Sequence, residues 1–201
     1  MCKKVNQFFI YWQKMDIIIC MSSEFHFFTG VPGRRWSGIA QEIKENPEYD
    51  TSDRSEQRRY SHPAQEFRMH IDAYFGTGME FDCSLDRKNL LAPFSGTGTK
   101  LLLSHEWPYH FDAILDTYPL SPITLVYRAD EPSLDWWLYS GGFDIFYPNY
   151  EWYVDEAGMH AKIAEQNQLI LDFAQKHSVQ WLQHHKHSDV FIGTYNTNVS
   201  Q

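Results

Sequence analysis

The sequence predicts an α/β protein built on a mostly parallel sheet, and three observations carry that prediction. Residues 100–104 (KLLLS) and 123–128 (ITLVYR) are compact apolar runs, the pattern of parallel strands buried on both faces. They alternate with helical segments, the clearest being 157–176, where Ile163, Leu169, Ile170, Phe173 and Ala174 form one stripe. A ring-rich run at 24–29 (EFHFFT) is followed at once by a glycine turn and a helix over 36–44. Strands alternating with helices give a three-layer α/β/α arrangement, in which ligands gather at the carboxyl ends of the strands.

Taken in chain order, the first segment stands apart. Lys3 and Lys4 precede an apolar run broken by Gln13, Lys14 and Asp16, with no small-residue cleavage site behind it. The run is too short and too polar to span a membrane. Residues 1–22 are therefore expected to be a peripheral extension, with Met15 and Met21 as candidate starts, and 23–201 a single domain. Within the helix over 36–44, Ile39 and Ile43 share a face. Residues 45–68 are dense in charge and read as a long mobile excursion. GTGMEF and SGTGTK then mark two glycine turns around an irregular segment at 71–99. A helix over 133–139 ends at Gly141 and Gly142, and 179–182 gives a last short strand before a polar tail.

Composition narrows the partners. The net charge of −9 argues against a nucleic-acid binder, which needs excess Lys and Arg. It leaves room for a local basic pocket and a small anion. Three cysteines, Cys2, Cys20 and Cys83, show no disulfide spacing, so a reducing compartment and a cytoplasmic location are expected. His184, His185 and His187 lack the i, i+4 spacing of helical metal ligands and read as a solvated loop. Aromatic residues are 16% of the chain and crowd into 107–153. Trp107, Tyr109, Trp136, Trp137, Tyr147, Tyr150 and Trp152 either pack or stack on a flat ligand.

The chemistry concentrates after three strands. A phosphate-binding turn needs glycines, inward N–H groups and a helix start behind them. The stretch from Thr29 to Ser37 (TGVPGRRWS) has these, with Arg34 and Arg35 as cations suited to an oxyanion. Gly30 and Ser37 fit the nucleotide-triphosphatase pattern, while Trp36 replaces its Lys. His105 and Glu106 follow the run at 100–104, where a histidine serves as a base near neutral pH. Arg128 ends its strand at the same edge, where it binds a phosphate or pairs with Asp130 or Glu131.

In this order, a ring-containing loop, Ser104-His105-Glu106-Trp107-Pro108 and Leu125-Val126-Tyr127-Arg128-Ala129-Asp130 resemble the sulfotransferases that use 3′-phosphoadenosine 5′-phosphosulfate (PAPS). The resemblance covers roughly residues 24–142 and implies a P-loop fold. It implies that the loop Gly30, Val31, Pro32, Gly33 and Ser37 holds the phosphosulfate in one of two registers. One keeps Gly33 and stacks Trp36 on adenine but loses both hydroxyls; the other aligns Pro32 and keeps Ser37 as the hydroxyl but loses the glycine. Arg128 and Ser133 would hold the 3′-phosphate, and His105 would deprotonate an acceptor hydroxyl on a small molecule or carbohydrate. Val31 stands where the family has its catalytic Lys, so Arg34 or Arg35 would take that role. No metal is expected. The alternatives are a P-loop kinase using Ser37 and Glu106 around magnesium, or a non-catalytic nucleotide-binding descendant.

Overall fold

A computed structural model describes residues 23–34, 36–53, 59–60, 73–74, 84–144 and 154–197. The N-terminal extension, Arg35, the side chains of Trp36 and Ser37, the GTGMEF turn, Tyr147, Tyr150 and Trp152 lie outside the described residues.

The first strand, β1 (Phe25–Gly30), is buried at every position, which requires cover on both faces. Phe27 meets Trp107 edge-on at 5.3 Å and also contacts Tyr118. His26 points the other way along the pleat and would be costly to bury alone. Its ring bridges Tyr49 Oη at 2.7 Å and Thr124 Oγ1 at 2.8 Å. Burial holds its pKa down at about 3, so it is a neutral core histidine.

The turn after β1 leads into α1 (Trp36–Lys44), which buries Ile39 and Ala40. Short strands β2 (Arg59–Tyr60) and β3 (Ala73–Tyr74) pair antiparallel as a separate ribbon. After α2 (Arg87–Leu91), capped by Asp86, the chain enters β4 (Lys100–Leu103). A 3₁₀ turn (Trp107–His110) and α3 (Phe111–Thr117) then lead to β5 (Ile123–Tyr127). Next come α4 (Asp130–Tyr139) and α5 (Glu156–Lys176). A hairpin of β6 (Trp181–His184) and β7 (His187–Tyr195) completes the described chain.

The sheet is five-stranded and mixed, in the order β4-β1-β5-β7-β6. β1 lies between β4 and β5, parallel to both. The other two strands run antiparallel: β7 against β5, and β6 against β7. The expected parallel sheet is thus the three strands β4-β1-β5, with an antiparallel hairpin beyond β5.

Two expectations change here. The polar tail after 182 is a strand pair, because the contiguous apolar run Val190-Phe191-Ile192, with Val190 buried, pairs β7 with both β5 and β6. The histidines at 184–187 form its turn, and His184 is only 6% exposed. The start of the 45–68 excursion is also held: Asp50 N donates to Thr99 O at 2.9 Å and Thr99 N to Glu48 O at 2.8 Å. Buried Asp53 pairs with Lys44, and Asp50 faces Lys100. Carboxylates that looked like solvated charge have partners brought in by α1 and β4.

Candidate functional site: the carboxyl edge of the parallel strands

The ends of β1, β4 and β5 are stitched together by polar side chains. Thr29 Oγ1 donates to Ser104 O at 2.8 Å, tying β1 to the end of β4. His105 reaches back and its Nδ1 lies 2.5 Å from Gly30 O. A carbonyl only accepts, so Nδ1 carries the proton and Nε2 keeps its lone pair. His105 is 3% exposed, and burial, reinforced by the charge of Arg34, lowers its pKa to about 3. The ring is therefore neutral and a weak base in the unliganded protein.

Arg34 is the unusual member. It is 0% exposed, and its Nε, Nη1 and Nη2 have no hydrogen-bond partner among the described residues. Its guanidinium carbon lies 5.5 Å from the Tyr127 ring centroid, at the end of β5. Burial pushes its pKa down to about 9, opposed by Tyr127 and Asp130 and assisted by Arg128. It remains cationic at neutral pH. Burying a charge without a partner costs several kcal/mol, roughly, so this group asks for an explanation.

Arg128 sits at the same edge in the opposite condition. Its Nε donates to Asp189 Oδ2 at 2.7 Å, its Nη2 reaches the same carboxylate, and its Nη1 donates to Gly33 O at 3.1 Å. The counterion comes from β7 rather than from nearby Asp130 or Glu131. Asp130 instead meets Asn167.

The turn itself is packed tightly. Gly33 has φ of 83°, and a Cβ there would lie 1.8 Å from Ser133 O, so only glycine fits against α4. Gly30 lies against Val126, and its carbonyl serves His105. Pro32 is buried. Val31 is also buried, in a second apolar cluster with Leu134, Trp137, Met159 and Ile163, and carries no polar function. Ser133 is buried, and its Oγ lies 3.4 Å from Arg128 O, a long contact.

Sequence reasoning missed two residues on α5. Within its buried stripe, Gln166 and Asn167 interrupt the apolar side chains. Gln166 Nε2 donates to His105 O at 2.9 Å, and Asn167 Nδ2 donates to Arg128 O at 3.1 Å. They hold the backbone where β4 and β5 end. The signal was available: two amides on the buried face of an otherwise apolar helix need partners.

Gly30, Gly33, Arg34, His105, Arg128 and Ser133 thus share one edge of the sheet. Glu106 flanks them, and burial raises its pKa, with Lys162 opposing. A shallow groove lined by Arg128, Pro132, Asp135, Trp136 and Tyr139 opens beside α4. Trp107 and Trp137 are instead core residues. No described helix is long and apolar enough to cross a membrane. No protein-family model, curated protein or solved structure matches the chain.

Proposed function

We propose that this chain is a sulfotransferase-like enzyme of P-loop type, transferring a sulfuryl group from PAPS to an acceptor hydroxyl. The observation that carries the proposal is the buried Arg34 guanidinium, with no hydrogen-bond partner among the described residues, beside the turn after β1 and close to His105. A cation desolvated in advance interacts strongly with charge that builds on a transferring group. An anion reaches this buried group only if the turn yields, so binding and a local rearrangement are coupled.

In this reading the residues divide the work. Gly33 seats the turn against Ser133 and Gly30 seats it against Val126, and Arg34 stabilises the charge developing on the bridging oxygen. Arg128, fixed by Asp189 and the Gly33 carbonyl, shares its remaining Nη hydrogens with the 3′-phosphate, next to Trp136 and Tyr139 in the groove. His105 holds the required tautomer, with Nε2 as acceptor. Its pKa is low because the site is dry, with the charge of Arg34 adding to the effect. A dianionic donor beside Arg34 raises it toward the working range of a base.

The acceptor is a small-molecule or carbohydrate hydroxyl. A second reading, a non-catalytic nucleotide binder, is supported by Val31, an apolar core residue where the family carries its lysine. The test is a calorimetric titration with adenosine 3′,5′-bisphosphate, followed by turnover assays with PAPS. Binding with transfer that is lost in His105→Ala supports the enzyme; binding without turnover on any acceptor supports the second reading. Absence of heat and of thermal shift eliminates both, and stabilisation by ATP-Mg²⁺ alone redirects the site to phosphoryl transfer.

A further inference from the structure

The β6–β7 turn carries a second cluster, beyond the end of β5 on the antiparallel side of the sheet. Glu42, in the last turns of α1, and His184 and His185, at the end of β6, bring one ligand atom each within 4.8 Å of one another. Neighbouring residues in a regular strand point to opposite faces, so an adjacent histidine pair ordinarily cannot share a ligand. Here the strand register shifts between Gln183 and His184, and the two rings come to 4.6 Å centroid to centroid. His187 stacks on His184 at 5.2 Å and 15°, bracing the ring from the other side of the turn.

We infer that Glu42, His184 and His185 form a binding site for a divalent first-row transition ion, with zinc as the natural probe. His184 Nε2 lies 3.3 Å from Glu42 Oε2. Two ligands of a tetrahedral zinc are about 3.4 Å apart when each lies about 2.1 Å from the metal, so this pair already spans one edge. His185, exposed and with a ring nitrogen within 4.8 Å of the other two ligand atoms, completes a His₂Glu set, which leaves one position for water. Burial of His184 restricts its rotamers, which favours ligation over a flexible surface contact.

Two existing contacts change on loading. Lys186 Nζ pairs with Glu42 Oε1, and Lys186 N donates to His184 Nδ1 at 3.3 Å. A metal on Nε2 leaves the proton on Nδ1 and gives up that long bond. The Lys186 ammonium is exposed and moves aside, so it competes with the ion for Glu42 without being a ligand. The inference departs from the sequence expectation that these histidines are a solvated loop, and it does not rest on the sulfuryl-transfer reading.

The experiment uses the full chain stripped with chelator and titrated with zinc chloride against a chromophoric competitor. One zinc per chain is expected to bind. Glu42→Gln and His185→Ala are expected to weaken it at least tenfold while the circular dichroism spectrum stays unchanged. Lys186→Ala should bind as tightly or more tightly, the result a plain Glu–Lys ion pair would not produce. Failure to take up stoichiometric zinc overturns the site, as does equal affinity in wild type, Glu42→Gln and His185→Ala. Titration with adenosine 3′,5′-bisphosphate should be indifferent to both substitutions, so the two readings fail separately.

Discussion

The turn after β1 and the end of β5 each place an arginine at the same edge of the sheet, and they solve the problem of a buried cation in opposite ways. Arg128 has its counterion built in: Asp189 takes two of its nitrogens and Gly33 O a third. Arg34 is more deeply buried and has no hydrogen-bond partner among the described residues. A paired guanidinium is a fixed part of the fold, and a ligand only shares it. An unpaired one lowers stability and recovers that loss only when an anion arrives. On the proposed reading, the contrast separates a positioning cation from one kept for the chemistry.

The largest effect should come from removing the unpaired charge. Arg34→Met keeps an unbranched side chain and deletes the guanidinium. Affinity for adenosine 3′,5′-bisphosphate should fall roughly a hundredfold, since a charge-assisted contact in a dry site is lost. Stability of the unliganded protein should rise, by roughly 1–4 kcal/mol if relief from the buried charge resembles other such replacements. Urea unfolding and calorimetry on the same variant check both. A variant that is less stable and binds normally would make Arg34 a structural residue and erase the contrast.

A smaller effect reads the field of Arg34 through its neighbour. His26 and His105 are both lowered to about 3 by burial, but only His105 feels Arg34. Above pH 6.5 both are neutral, folded or unfolded, and contribute nothing to pH dependence. Below pH 6.5 the unfolded chain binds protons that the folded protein refuses. Each histidine should then remove about 1.4 kcal/mol of stability per pH unit, until the folded values near 3 are reached. Adenosine bisphosphate opposite Arg34 should raise the His105 pKa and reduce that slope, leaving the His26 part intact. Unfolding curves across pH 4–7, with and without ligand, measure the difference. A ligand-independent slope would place the anion elsewhere.

How much of this was legible in the sequence follows from which partners were near in the chain. The strands β1, β4 and β5 and the helix α5 announced themselves as apolar runs or stripes, because their own side chains make the core. The positions of Gly30, Arg34, His105 and Arg128 at one edge followed from strand ends alone. The hairpin did not, because the polar residues His184 to Asp189 hid the short apolar run Val190-Phe191-Ile192 behind them. With β7 unread, Asp189 was invisible, and the only ion-pair partners in view for Arg128, the alternative to a phosphate, were Asp130 and Glu131. Arg34 was read as a cation suited to an oxyanion, but nothing local announced its burial. Gln166 and Asn167 looked like ordinary helix amides until β4 and β5 ended against them.

That missed partner supplies the smallest test. Asp189 is about half exposed (47%), so its pair with Arg128 is partly screened. Asp189→Ala should therefore cost no more than about 1 kcal/mol of stability. Its effect on recognition should be distinct: Arg128 keeps only the Gly33 carbonyl and loses the fork that aims it. The preference for adenosine 3′,5′-bisphosphate over adenosine 5′-monophosphate should drop several-fold, because the loss of preorganisation falls on the 3′-phosphate alone. An equal loss for both nucleotides would mean that Asp189 supports the turn generally rather than orienting Arg128. For Arg34, stability and binding should move in opposite directions; for the Arg128–Asp189 pair they should fall together. That difference in sign, read on two variants of one protein, is the sharpest form of the contrast between the two arginines.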